Sequence, residues 1–502
     1  MAKRTFPALF LAIAMIASLL PGLSLAETAR ITDKDVTLTL VRSDNSNQPM
    51  KTDSLVLDEL YKRTGVKLSV EAIPGSDFAT KTKTLIATNS MPDILYDTYD
   101  VADFAGTGVF LPISEYLDVM PNLSALFEAQ PDLKKLYIEG VLYTIPVLGR
   151  NVYRMGRSPM IREDLLAETG LPMPTTFDEL TEVLRAIKAN HPDIYPVANR
   201  NGTTNLFTCY AYAMGLGSGV YWEPAQNAYV YAQMQPGFAD ILKVFADWYQ
   251  EGILDPDYAV SSGSQWQEKL ASGRSSFFFD NPSFAANFNK ALAVDNAAQA
   301  FVPMEIPAYG DTQRGLYYMK NDLGATTLSA DTKDPELACK FMDYLYSDEG
   351  CDLTNWGLEG VQYTREGDAY ALIPSAIEQY RSTADPLRAF YGDIGAGKLG
   401  LARYIDERAQ DAFFDEQMKA WYATWETWSF MGEMVIDPPF TAEENEELVT
   451  LRTKVNTALE TEYDKFIMGQ APIEDWSRVV TSIEQDASRI AEIYNAANAR
   501  VQ

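Results

Sequence analysis

The chain has 502 residues, 47% hydrophobic and 12% aromatic, and a formal charge of −29 at pH 7. That length calls for two or three domains, or two large lobes with separate cores. Acidity on this scale argues against nucleic acid and anionic membrane surfaces, which are held by basic patches, and it disfavours a strongly anionic ligand unless a local basic pocket receives it.

Residues 1–26 read as a targeting segment. Lys3 and Arg4 make its positive start, Leu9 to Leu20 its apolar core, Pro21-Gly22 a break and Ser24-Leu25-Ala26 a small-x-small cleavage site. No cysteine follows the apolar core to carry a lipoprotein anchor, and no later apolar run is long enough to span a bilayer. A periplasmic or secreted location is expected. Three cysteines, Cys209, Cys339 and Cys351, give no complete disulfide framework; Cys339 and Cys351 either pair or stay as buried thiols. His191 is the only histidine, which argues against His-based metal sites and Ser–His or Cys–His catalysis. With no zinc spacing and no G-x-x-x-x-G-K-[ST], neither a metal nor a cofactor is expected.

Taken in order, Val36–Val41 alternates as a strand and ends in polar residues 42–47. A helix over 54–64 stops at Gly65, Lys67–Ala72 is a strand, Phe78–Thr88 a helix, and Ile94–Tyr96 a strand. This alternation predicts a parallel sheet with crossover helices and a ligand beyond the carboxyl ends of its strands. Val141–Ile145 is a short strand closed by Pro146, and Pro146 to Met160 reads as a passage between lobes. Thr176 with Glu179 is a capping box for a helix over 177–189. Gly215, Gly217 and Gly219 lack the flanking strand and helix of a phosphate loop and read as a turn. Phe238–Gln250 and 265–271 are helices, and Arg274–Phe279 is a buried strand running into Asp280-Asn281-Pro282. A helix over 335–347 ends near Gly350, with Trp356 to Tyr363 as loop and short strand. Trp421, Trp425 and Trp428 share one helix face and read as core. Helices near 443–468 and 477–499 close the chain.

Several stretches together resemble one family: LIATNSMPDI at 85–94, EGVLYTIP at 139–146, IREDLLAETGLPMPTTFDELTEVL at 161–184, WYQEGILDPD at 248–257, the run 334–363, and FIMGQAPIEDW at 466–476. The chain resembles the extracellular solute-binding proteins of ABC-type sugar importers, in the large branch that includes oligosaccharide- and alginate-binding members. The resemblance implies a two-lobed α/β fold of the periplasmic-binding-protein type II, with the ligand between lobes that close by hinge motion. It implies an oligosaccharide and a membrane permease as partners, no catalysis, and a monomer. Lobe 1 would hold 27–148 and about 316–375, lobe 2 would hold 149–315 and about 376–502, with further crossings near 312–320 and 370–385. Many members carry an Asp/Asn-rich calcium loop after the helix matching 177–189; here residues 188–195 read KANHPDIY, without the repeated carboxylates of such a cage.

Sugars present apolar C–H faces and many hydroxyls, so a cleft for them needs flat aromatics ringed by charged or amide groups. The aromatic candidates, at strand ends or in loops, are Trp222, Trp266, Trp356 and Tyr363. The hydrogen-bonding candidates are Arg42, Asp44, Asp97, Asp280 and Glu359. A secreted carbohydrate-active enzyme, with a carboxylate pair among its many acids, is the rival from another class; the same fold holding a peptide or other small solute is a third reading.

Overall fold

The computed structural model describes residues 30–501, apart from 46–47, 151–154, 320–323, 384, 415, 426, 429–430 and 434. The expected leader therefore lies outside the described residues. The first strand, Val36–Asp44, pairs in parallel with Val66–Pro74 from Val36 opposite Val66 to Asp44 opposite Pro74. Ile94–Leu95 joins its other side in parallel, and Thr327–Leu328 closes that edge antiparallel. The helix between the first two strands, Leu55–Thr64, starts where the Ser54 hydroxyl accepts the Leu57 N–H and ends at Gly65, whose φ is 82°. The apolar alternation stops at Val41, yet pairing runs on to Asp44, because Ala72 to Pro74 opposite are themselves extended. Arg42 and Asp44 thus stand on the carboxyl end of the strand, not in the loop expected there.

A second sheet is built on Ser158–Arg162, every residue of which is buried. It lies antiparallel between Phe277–Asp280 and Phe301–Pro303. The two sheets share no strand, so residues 36–140 and 160–310 do not form one continuous sheet. Each has its own core. Around the first gather Leu40, Leu60, Ile94, Leu142, Phe341, Trp356 and Leu401. Around the second gather Ile161, Leu184, Phe207, Phe245, Trp248 and Phe277, with Leu448, Leu459 and Ile490 from the closing helices Ala442–Ile467 and Trp476–Ala499. A separate aromatic cluster, with Met160, Trp266, Phe278, Phe288, Trp421 and Trp425, covers the opposite face of the second sheet, since Met160 and Phe278 alternate with Ile161 and Phe277. Trp421 and Trp425 are therefore core, as their spacing indicates.

Between the two cores lies a small sheet. Gly315–Met319 pairs antiparallel with Met155–Gly156 and parallel with Met431–Glu433. The strands Met155–Gly156 and Gly315–Met319 sit where the chain passes from residues of one core to residues of the other, whereas Met431–Glu433 lies between the aromatic cluster and the helix Ala442–Ile467. Beside them Leu148–Gly149 pairs with Tyr404–Ile405. Residues 370–385, expected as a crossing, do not cross: Leu372, Ile377 and Tyr380, then Phe390, Ile394, Leu401 and Ala409, all pack in the first core. The reason is in the prolines. Pro374 and Pro386 occupy first helical positions, where a missing N–H costs nothing, and start helices that carry apolar residues inward.

Gly350 also reads differently in three dimensions. It does not end a helix; it lies inside Asp348–Trp356, whose Ser347 cap accepts its N–H at 3.0 Å. A Cβ at Gly350 would stand 2.0 Å from the Tyr344 carbonyl oxygen, so glycine allows two consecutive helices to meet. Trp356 consequently ends a helix and is buried. Cys339 and Cys351 fall on these successive helices as buried free thiols.

Candidate functional site: a cleft between the two cores

The cleft begins at the carboxyl end of the first strand. Arg42, 2% exposed, donates through Nε to the Ser43 carbonyl at 3.0 Å and through Nη1 to the carbonyl of Gly400. Gln48 donates to the Ala396 carbonyl at 3.1 Å. These bonds hold the segment Gly395–Gly400, which follows the helix Pro386–Ile394, against the strand end. The segment needs its glycines. At Gly397, φ is +75° and a Cβ would lie 2.5 Å from the Tyr391 ring; at Gly400 it would lie 2.3 Å from the Ala396 oxygen. The chain then runs through Tyr404–Ile405 into Asp406 and Glu407.

The opposite wall rises from the second sheet. Asp280 ends its strand and takes both arms of Arg200, at 2.8 and 2.9 Å. It also accepts the Asn281 N–H at 2.7 Å, and the Asn281 side chain accepts the Ser283 N–H at 2.9 Å. Phe284 stands edge-on to Trp266 at 5.2 Å between ring centres, with the Arg200 guanidinium 5.2 Å above its own ring.

Between the walls is a cavity of about 390 Å³. The first core contributes Asn45, Gln48, Asn355, Tyr391, Lys398, Asp406 and Glu407, with Phe413 packed on it; the second sheet's end and the helix after it contribute Asn281, Phe284 and Asn287, and the aromatic cluster on that sheet contributes Phe414 and Tyr422. Amide, carboxylate and ammonium groups thus surround aromatic faces, the combination that grips a polyhydroxylated ring.

None of the sequence candidates lines this cavity. Arg42, Asp280, Trp266 and Trp356 stand one layer behind it and hold residues that do. Trp356 is 1% exposed and donates its indole N–H to Asp406 at 3.1 Å. Trp266 is likewise 1% exposed, enclosed by Phe278, Phe284 and Phe288. Asp97 sits at φ 56° with its carboxylate 3.8 Å from Arg42. Asp44 caps a turn by accepting the Met50 N–H at 2.9 Å. Tyr363 is buried and stacked on Tyr370, Glu359 is exposed in its turn, and Trp222 packs on Tyr229 in the hairpin Val220–Tyr231. The residues that sequence reasoning missed lie beside those it chose. Asn281 follows Asp280, Asn355 precedes Trp356, and Phe413, Phe414 and Tyr422 lie beside the Trp421, Trp425 and Trp428 stripe that reads as core. The G-A-G-K-L-G run at 395–400 was the unused signal.

Two charges dominate the site. The Asp406 side chain is fully buried, and burial pushes its carboxyl up; hydrogen bonds from Arg408 and Trp356 outweigh that and leave it below the ordinary aspartate value. Arg408 supplies Nε at 2.8 Å and Arg150 approaches to 3.7 Å. Lys398 is pushed the other way. Desolvation, then the Arg403 charge, lower its ammonium to about 8, against partial support from Asp97 and Glu407. Because the unfolded chain keeps a proton that the folded chain sheds above that value, stability carried by this group rises from pH 8 toward the unfolded lysine value. Lys398→Met is therefore expected to be more stable than the parent at pH 7, with the gap closing by about pH 10, in urea titrations at both pH values.

Among the described residues no group of three His, Cys, Asp or Glu side chains could hold a metal ion. In the loop after helix Phe177–Asn190, the Lys188 ammonium donates to the carbonyls of Pro192 and Ile194, each at 2.8 Å, and lies 4.5 Å from the centre of the Tyr195 ring. It takes up the carbonyls a bound cation would need. Lys188→Met is expected to lower stability by about 1–2 kcal/mol. Calcium should leave the melting temperature of the parent protein unchanged, and a rise with calcium would contradict this account of the loop.

Two separate sheets, a jointly formed connecting sheet and a polar, aromatic cleft between the cores define a two-lobed α/β solute receptor. Residues 44–350 match the family of bacterial extracellular solute-binding proteins, and the chain belongs to that family. Lipoprotein LipO of Bacillus subtilis (strain 168) is 27% identical over 378 residues, 70% of this chain and 73% of LipO. The fructooligosaccharide ABC transporter substrate-binding protein FusA of Streptococcus pneumoniae serotype 4 is 23% identical over 334 residues, 61% of this chain and 60% of FusA. In structure, the alginate-binding protein AlgQ2, crystallised without calcium ion, superposes with a TM-score of 0.75 at 20% identity, covering 93% of this chain and 99% of AlgQ2. Among the described residues no helix is long and apolar enough to cross a membrane.

Proposed function

We propose that this protein captures an oligosaccharide outside the cytoplasmic membrane and delivers it to the permease of an ABC importer, without chemical turnover. The observation that carries this reading is the cavity between the cores, where Phe284, Phe413 and Phe414 offer apolar surface to sugar C–H groups, and Asn45, Asn281, Asn287 and Glu407 offer hydroxyl partners. Family membership supports solute binding, and the names of FusA and AlgQ2 support a carbohydrate. Lobe 1 would comprise 27–148 with about 325–409, and lobe 2 about 158–310 with 440–502, a division supported by the packing of 370–409 in the first core. The strands at 155–156, 315–319 and 431–433 would then be the hinge. Closure would bring Asn281 and Phe284 onto a sugar already resting on Tyr391 and Glu407. Membership of the extracellular solute-binding family supports a location outside the cytoplasmic membrane.

The test is incubation of the purified protein with a panel of oligosaccharides, followed by titration calorimetry and chromatography of the recovered sugar. Saturable binding with intact ligand is expected. Released products would sink the receptor reading in favour of an enzyme; no response to any sugar, with a response to peptides, would move the ligand to another class.

A further inference from the structure

At the edge of the cavity a side chain of one lobe is bonded to the backbone of the other. Lys290 stands on the helix Phe284–Leu292, whose Phe284 and Asn287 line the cavity from the second sheet's side. That helix is fixed to its own lobe. Ala285, Phe288 and Leu292 are buried in the aromatic cluster, and the Asn289 side chain donates to the Phe301 carbonyl at 2.9 Å and accepts the Phe301 N–H at 2.6 Å. The Lys290 ammonium reaches away from the helix and donates to the Thr383 carbonyl at 2.6 Å, with the Arg381 carbonyl at 3.5 Å. Those carbonyls belong to the first lobe. They follow the helical turn Glu378–Tyr380, and Ile377 and Tyr380 are buried in the first core. The Thr383 N–H and hydroxyl both close back on the Tyr380 carbonyl, at 2.9 and 2.7 Å, which fixes the shape of the turn. The chain then enters the helix Pro386–Ile394, whose first residues, Pro386 to Arg388, line the cavity opposite Asn287.

On the reading that a sugar is captured between the lobes, we propose that Lys290 is a positioning residue for that capture: its ammonium is the latch that holds the two walls together over the bound oligosaccharide. A bond from one lobe to main-chain carbonyls of the other exists only while the walls stand this close. It therefore stabilises the closed form and adds nothing to the open one. Apparent affinity follows the population of the binding-competent form, so the latch strengthens binding without touching the ligand. Carbonyls at the end of a helical turn have no further N–H of the helix to accept, and a cation that reaches them makes a charge-assisted bond whatever sugar lies inside. The latch thus sets how long a sugar stays, not which sugar is chosen. Lys290 is exposed, which keeps its contribution modest. Its effect falls on dissociation, since the cleft must break this bond to open, whereas association begins before the bond has formed.

The experiment is stopped-flow tryptophan fluorescence with the tightest-binding of maltotriose, cellotriose, kestose and trigalacturonate. From Lys290→Met the sugar should dissociate about three- to tenfold faster, with the association rate within about twofold of the parent. The urea midpoint of the ligand-free variant should match the parent's. That split separates a latch from a lysine that merely supports its helix, whose loss would lower the ligand-free midpoint. Lys290→Arg keeps a cationic donor and should return dissociation to within about twofold of the parent. The order of preference among the sugars should be the same in all three proteins. Parent-like dissociation from Lys290→Met, faster dissociation that Lys290→Arg does not restore, or weaker binding matched by a fall in the ligand-free midpoint overturns the proposal while the carbohydrate reading stands. No binding of any sugar by the parent protein overturns both.

Discussion

Replacing Asp406 with alanine is expected to cost about 3–5 kcal/mol of stability and to reduce sugar affinity by at least about tenfold, the larger loss of any single residue in the cleft. The carboxylate is fully buried and accepts from the Trp356 indole, from Arg408 Nε and from the Arg408 backbone N–H at 3.2 Å, with Arg150 close by. Alanine leaves Arg408 and Arg150 facing each other across a gap, and leaves the Trp356 N–H without an acceptor. Asp406→Asn keeps the shape and an acceptor, so it should lose less stability while still weakening binding. The folded carboxyl lies below its unfolded value. Its contribution is therefore complete above about pH 4 and lost as pH falls through the lower folded value. Urea midpoints at pH 7 and pH 3 check both statements: the difference between parent and Asp406→Ala should shrink at the lower pH.

Trp266→Ala is the second large effect, about 3–5 kcal/mol. The indole is enclosed by Phe278, Phe284 and Phe288, and the Arg200 guanidinium lies 4.9 Å from its ring centre. Removing it opens a cavity under Phe284 and loosens the Arg200–Asp280 pair that positions Asn281. Affinity should fall with stability, because two cleft residues lose their support. Trp266→Phe should recover most of both. Since Trp266 is buried and does not line the cavity, its removal should leave the ligand-induced fluorescence change of the remaining tryptophans in place wherever the variant folds; loss of that signal would show that Trp266 itself meets the sugar.

These cases show where sequence reasoning reaches and where it stops. Periodicity and capping residues locate the first strands, the Thr176 capping box and the closing helices, because those signals are local. The walls of the cleft are not local. Arg42 and Gly400 meet only through the fold, and the position of Gly400 beside the strand end depends on chain packing far along the sequence. Strand-end logic points to Asp280 and Arg42, but their side chains are engaged within the protein, by Arg200 and by backbone carbonyls. Asp280 is consumed by Arg200, and its neighbour Asn281 reaches the cavity. Tryptophans mislead for a related reason. Trp266 and Trp356 have large apolar surfaces that the cores bury, while the smaller rings of Phe284, Phe413 and Phe414 line the cleft. The crossing expected at 370–385 fails because its prolines begin helices instead of linkers.

The central claim is that one ligand is held between the two cores. Hydrogen exchange measured with and without the bound oligosaccharide tests it most directly, because it reports position along the chain. Slowed exchange is predicted at 281–287 and at 396–410 together, from one binding event, with 155–156 and 315–319 changing as the hinge adjusts. Protection confined to one of those walls, or centred instead on the shallow groove formed by 229–235 and 487–495, would contradict it.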